Sequence, residues 1–298
     1  MAIELNDDLW ARILYTTTRD NLTLLASLQT VNRYWRDLII SDCLLWTKID
    51  IKHQAHLTKL AFLDVFLKRS GEAPLDISIE LPDYTSLTQP YIFLCRLQQV
   101  ATRIKSLRLS LYNYQLIESF ILGIGQGQPA PYLEKLSITT KSPDSIFFMS
   151  DTTFPSLESA FTPSLRLRHL TIPSWPLPKS IQAIPQLSTI TTFLIDVSSQ
   201  PMDMDCALEL LKAAHVLEHL SFNGYNLVSW GSVGSATDTA RIIEMPHLRS
   251  VNLSAPGYGI ELLRNISAPL LEKITLYDWP SKDGYETMVL IGTIPSAR

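Results

Sequence analysis

One short motif recurs seven times along this chain and limits what it can fold into. It is an apolar residue, two others, a second apolar residue, one other, and a third apolar residue. It occurs at Ile104-Leu107-Leu109, Leu133-Leu136-Ile138, Leu167-Leu170-Ile172, Ile190-Phe193-Ile195, Leu217-Leu220-Phe222, Leu248-Val251-Leu253 and Leu271-Ile274-Leu276. Successive starts lie 29, 34, 23, 27, 31 and 23 residues apart, and Pro131, Pro246 and Pro269 precede three of them. The last two apolar positions of each triplet are two apart, the period of a strand with one buried face. The connecting stretches hold helix candidates such as "CALELLKAAH" and "IELLRNIS".

A unit of one strand and one helix cannot cover its own apolar edge, so neighbouring units must stack. The pattern is that of leucine-rich repeats, and the expected fold class is α/β, a curved solenoid with a parallel sheet on its concave side. The asparagine usual after such a strand is mostly absent and the spacing is irregular, so the repeats are divergent. Strand alternation sends one set of side chains outward on that face: Ser106, Arg108 and Ser110; Lys135, Ser137 and Thr139; His169 and Thr171; Thr192, Leu194 and Asp196; His219, Ser221 and Asn223; Ser250, Asn252 and Ser254; Lys273, Thr275 and Tyr277. The chain carries a net charge of −4, yet this set holds Arg108, Lys135, Lys273 and two histidines against the single acid Asp196. An ordinary solvated face would also be polar. Read functionally, the candidate substrate-binding residues are Arg108, Lys135, His169, His219, Asn223, Lys273 and Tyr277. Tyr225 and Trp230 join them from the Gly/Ser-rich insertion at 223–238, because aromatics on a loop favour recognition. The partner expected is a protein segment, acidic or phosphorylated.

The first fifty residues follow a different rhythm. A helix is expected near Asp7–Tyr15, with Asn6, Asp7 and Asp8 at its start, where unpaired N–H groups and the helix dipole favour them. A second is expected over about Leu22–Thr30 and a third over about Val31–Ile40, where Trp35, Leu38 and Ile39 share a face. "LLWTKIDI" then alternates as a strand with Ile49 and Ile51 on one side. Further on, "LTKLAFLDVFLKRSG" reads as a helix with Leu60, Leu63 and Leu67 on one face and Gly71 as its stop, followed by the strand "LDISI". Three such short helices carry more large apolar side chains than fifty residues can bury alone. They either pack on the rest of the chain or dock to another protein.

The segments "LNDDLWARIL", "LLASLQTVNRYWRDLI" and "LLWTKIDI" together resemble the F-box family. Leu5, Leu9, Ile13, Leu14, Leu25, Val31, Trp35 and Trp46 stand at its apolar positions. "FLKRSGEAPLDISI" is similar to the segment that follows the F-box in fungal members. Two positions depart: Asn6 stands where the family has proline and Asn32 where it often has cysteine. The resemblance implies an F-box over 1–50 and a repeat solenoid over 51–298. It implies docking to a Skp-type adaptor, and through it to a cullin–RING ubiquitin ligase, by Leu5, Leu9, Ile13, Leu14, Leu25, Leu28, Val31 and Trp35. The repeats would then hold a target protein. The alternative is a repeat scaffold whose N-terminal helices only cap the open end of the stack.

Other function classes find little support. A pI near 5.9 argues against wholesale nucleic-acid binding, which needs a basic excess. No run of 18 apolar residues marks a membrane span, and the acidic start lacks the basic region of a signal peptide. Cys43, Cys95 and Cys206 are too few and too scattered for a disulfide framework, which fits a reducing compartment, cytoplasmic or nuclear. The sequons at Asn21, Asn252 and Asn265 are then chance matches. "GIGQGQ" (123–128) follows an apolar helical stretch and runs into Pro129, so it is a helix stop rather than a phosphate loop. His53 and His56 lack a second ligand pair, and the serines of "GSVGS" (231–235) sit at the wrong offset for a nucleophile. No catalytic residues, metal or cofactor are expected, and hence no enzyme.

Overall fold

The structure, a computed structural model, describes residues 6–18, 22–52, 60–81, 91–111, 114–140, 159–173, 185–196, 204–223, 242–254, 262–277 and 287–290. It is α/β. Three helices open the chain, α1 (Asp7–Thr18), α2 (Leu22–Leu28) and α3 (Arg33–Ser41). Strands and helices then alternate: β1 (Lys48–Ile51), α4 (Leu60–Arg69), β2 (Leu75–Glu80), α5 (Tyr91–Gln98), β3 (Ile104–Leu111), α6 (Tyr114–Gly125) and β4 (Lys135–Thr140). Next come β5 (His169–Pro173), β6 (Thr192–Asp196), α7 (Met204–Ala213), β7 (His219–Asn223), β8 (Ile243–Glu244), β9 (Ser250–Leu253), β10 (Ile266–Ser267), β11 (Lys273–Tyr277) and β12 (Thr287–Leu290).

Ten strands form one sheet in the order β1-β2-β3-β4-β5-β6-β7-β9-β11-β12. The first nine run parallel, and β12 closes the row antiparallel to β11. All seven triplets lie in this sheet. β8 and β10 pair with each other in a separate parallel ladder.

A repeated turn sets where the strands begin. The N–H of Leu133 donates to the carbonyl of Ala130, Leu167 to Ser164, Leu217 to Ala214, Leu248 to Met245 and Leu271 to Ala268, all at 3.1–3.2 Å. Pro131, Pro246 and Pro269 take the second position of three of these turns, where a fixed φ near −65° is already correct. The first apolar residue of these five triplets therefore closes a turn and is buried before the strand starts. The next two point to the same side and are buried too, except on β11. There Ile274 and Leu276 are only half-buried and Thr275 is buried.

One hydrophobic core runs from Leu14 to Leu271. The opening helices are part of it, through Leu14, Leu25, Ile39 and Trp46. The boundary expected at residue 50 thus falls inside β1, the first strand of the sheet. Trp46 is the hinge of this arrangement. Its indole N–H donates to the Ile39 carbonyl at 2.8 Å, its ring meets Phe66 edge-on at 5.1 Å, and the Arg69 guanidinium lies 4.3 Å above it.

Several local expectations shift. Cys43–Trp46 is a 3₁₀ turn rather than the start of a strand. α1 runs three residues further than expected, to Thr18, while α2 stops at Leu28 and α3 starts at Arg33. Asn32 is the cap of α3, its side chain accepting from the Trp35 N–H at 2.9 Å. The stretch "IELLRNIS" is helical at 262–264 but then forms β10. "GIGQGQ" ends α6 as expected, with Gly127 at φ +65°. Gly125 is needed for packing: a Cβ there would stand 2.8 Å from the Phe161 ring. Cys43 and Cys95 are unpaired thiols.

Candidate functional site

Two surfaces carry the residues singled out above. The first is on the opening helices. In α1, Leu9 and Ile13 lie one turn apart and are 46% and 41% exposed. Trp10 and Leu14 follow them on the adjoining stripe, and these face inward. Leu14 is buried, and the Trp10 ring meets Trp35 edge-on at 4.9 Å. Val31, at the turn before α3, is 62% exposed, and Leu24 on α2 and Tyr34 on α3 are exposed as well. Of the residues expected to meet an adaptor, Leu9, Ile13 and Val31 are thus available. Leu14 and Leu25 are not, because they fill the space between the three helices and the sheet core. Leu28 and Trp35 are half-buried against the same core. Leu5 lies outside the described residues. Asn6 stands directly before α1, and its carbonyl accepts from the N–H groups of Leu9 and Trp10 at 3.0 and 3.1 Å.

The second surface is the polar face of the sheet. Pairing register places Lys48, Asp76, Ser106, Lys135, His169, Thr192, His219, Ser250 and Lys273 in one continuous row across nine strands. Lys135, His169, His219 and Lys273 therefore share a row and are exposed. Arg108 is not in it. It belongs to the next row, with Asp50, Ser78, Ser137, Thr171, Leu194, Ser221, Asn252 and Thr275. Asn223 lies in a third row, beside Asp196. Two of the side chains expected outward are buried instead, Ser110 and Thr275. Tyr277 ends β11, but its side chain lies outside the described residues, as do Tyr225, Trp230, His53, His56 and the loop at 231–235.

A feature the sequence reading missed fixes the register of this row. Lys105, the second residue of β3, and the residues just before the later strands, Glu134, Arg168, Thr191, Glu218, Arg249 and Glu272, form a rim of mostly alternating charge. From Glu134 to Arg249, each rim carbonyl accepts two consecutive N–H groups from the next unit. The Glu134 carbonyl takes those of Arg168 and His169, and the Arg168 carbonyl takes those of Thr191 and Thr192, at 2.9–3.0 Å. The rim acids are partly engaged: Lys105 pairs with Glu134 at 3.6 Å and Arg249 with Glu272 at 2.6 Å. The Arg168 guanidinium turns to the carbonyls of Leu165, Leu167 and Thr189. The signal for the rim was present in the sequence, as a charged residue immediately ahead of most strands.

The charge on the face is uneven. Over β1–β4 it is mixed, and a hollow of about 460 Å³ there is lined by Lys48, Lys52, Lys105, Arg108 and Lys135 together with Asp50, Asp76, Glu80 and Glu134. From β4 to β11 the first row carries only lysines, histidines and hydroxyls. Among the described residues, neither Lys135 nor Lys273 has an ion-pair partner. His219 Nδ1 lies 2.7 Å from Ser250 Oγ, and its Nε2 is 4.0 Å from Glu218. The His169 pKa is held below its ordinary value, first by partial burial and then by the positive charge of Lys135 and His219, against which Glu134 pulls the other way. Among the described residues no group of three or more His, Cys, Asp or Glu could hold a metal ion, and no helix is long and apolar enough to cross a membrane.

No protein-family model matches the chain, and no curated protein matches it either.

Proposed function

We propose that this chain is an F-box protein, the substrate-recognition subunit of an SCF-type cullin–RING ubiquitin ligase. On this reading α1–α3 dock to a Skp-type adaptor, and the strands and helices that follow are divergent leucine-rich repeats forming a curved solenoid. The polar sheet face, concave in such a solenoid, holds the target protein. The chain does no covalent chemistry; it raises the effective concentration of the target beside the ubiquitin-charged enzyme. Its compartment would be cytoplasmic or nuclear.

One observation carries this. Leu9 and Ile13 on α1 and Val31 at the turn before α3 stay exposed, while Leu14, Leu25 and Ile39 on the same three helices are buried in the core. Leu9 and Ile13 lie one turn apart on α1, and adjoining exposed apolar side chains mark contact surfaces more than single ones do. The second reading, a scaffold whose helices only cap the sheet, draws on the continuous core through Leu14, Ile39 and Trp46. Capping explains the buried stripe but leaves the exposed one without a use. The experiment is titration of the purified chain with a purified Skp-type adaptor: micromolar or tighter binding supports the first reading, and its absence leaves the second.

A further inference from the structure

We propose that the first row of the sheet face, from Lys135 to Lys273, is a docking strip for an extended segment of a protein partner rich in aspartate and glutamate, and that protonation of His169 and His219 strengthens the grip. This rests on the reading of the sheet face as the target-holding surface and names the chemistry of the target.

Register supplies the geometry. Lys135, His169, Thr192, His219, Ser250 and Lys273 sit opposite one another on successive strands. Adjacent strands are about 4.8 Å apart, so the five steps from β4 to β11 span about 24 Å. An extended segment of about seven residues covers that distance at ~3.3 Å per residue. The cations fall at about 0, 5, 14 and 24 Å along the strip, with hydroxyls of Thr192 and Ser250 between them. Carboxylates on alternate residues of one extended segment, about 6.6 Å apart, come within about 4 Å of each of these positions.

Charge supplies the choice of partner. The strip bears no acid, although the chain as a whole is acidic. The row is built from lysine and histidine, single-point cations, and holds no arginine. Arg168 is engaged on backbone carbonyls and Arg249 on Glu272, and Arg108 stands in the next row, at the β3 end of the strip. A lone phosphate is gripped best by converging arginine forks. Separated point charges suit several carboxylates spread along a chain.

The histidines make the strip sensitive to pH. His169 is flanked by Lys135 on β4, His219 on β7 and the rim residues Glu134 and Arg168. His219 is flanked by Glu218, Ser250 and Arg249, the last held by Glu272. In the empty strip the charged form of His169 is disfavoured, first by partial burial and then by repulsion from Lys135 and His219. A bound carboxylate relieves it, so binding takes up protons.

The test is fluorescence anisotropy with the full chain and three labelled octapeptides: alternating Asp/Glu with Ser/Gly, the same peptide with Asn/Gln, and the Asn/Gln peptide bearing one phosphoserine. The acidic peptide should bind about tenfold more tightly than the neutral one, weaken as salt rises, and tighten several-fold between pH 7.5 and 6.0. The His169→Gln/His219→Gln variant should lose the pH dependence, and Lys135→Gln should weaken binding at every pH, with circular dichroism unchanged in both. Equal binding of acidic and neutral peptides, tighter binding of the phosphopeptide, or pH dependence surviving in the double variant would each overturn the proposal. Adaptor binding, measured on the same preparation, reports separately on the opening helices.

Discussion

Ile13 and Leu14 are neighbours in α1 and face opposite surroundings, Ile13 being 41% exposed and Leu14 only 2%. One residue step in a helix turns the side chain by about 100°, so a single rotation separates a surface that is free to meet a partner from one that holds the fold. The two residues should respond differently to substitution. Leu14→Ala leaves a cavity between α1 and the core and should cost about 2–5 kcal/mol, whereas Ile13→Ala should stay within about 0.5 kcal/mol. Urea unfolding of the two variants measures the difference.

Trp46 should be equally sensitive for another reason. Trp46→Phe keeps most of the apolar contact with Phe66 but removes the N–H bond to Ile39 and leaves that carbonyl unpaired in the core. A loss of about 1–3 kcal/mol is expected, since an orphaned buried polar group bears its full desolvation cost. Thermal unfolding followed at the remaining tryptophans reads it. An unchanged midpoint would mean that the opening helices are not anchored through this residue.

How much of this was legible in the sequence depends on how local the cause is. The triplets gave the parallel sheet because each encodes its own turn and its own alternation: Pro131 and Leu133 are enough to place β4. The inward set was readable for the same reason. What was not readable came from neighbours in space. Arg108 falls one row away from Lys135 because Ser106, not Arg108, pairs with it, a register set by the rim carbonyls. The resemblance to the F-box family implies docking by Leu14 and Leu25, yet the position of the sheet decides that they are covered. β12 carries no triplet and returns antiparallel, so no period announces it.

Gly125 closes α6 against the Phe161 ring. Gly125→Ala puts a methyl group 2.8 Å from that ring, and both residues are buried. Overpacking of this kind should cost about 1–3 kcal/mol. Gly127→Ala, which has open space around its Cβ, should suffer only from its positive φ. Comparing the two melting temperatures separates packing from backbone strain.

His169 gives stability a pH dependence of defined sign. Its folded pKa lies below the ordinary value of 6.5 and its unfolded pKa lies at it. Between the two the unfolded chain binds more protons, so stability rises with pH through that window. The penalty is fully present below the folded value and absent above 6.5. Melting curves between pH 5 and 8 should show His169→Gln flattening this part of the profile. A steeper profile in the variant would reverse the assigned cause.

The most direct test of the central claim is the affinity of a purified Skp-type adaptor for four forms of the chain: unchanged, Ile13→Glu, Val31→Glu, and both together. All four should melt alike, because neither side chain supports the core. The proposed function predicts measurable binding by the unchanged chain, a loss of about tenfold or more for each single variant, and none detectable for the double. An unchanged chain that does not bind, or a double variant that binds as well as the unchanged chain, would contradict it.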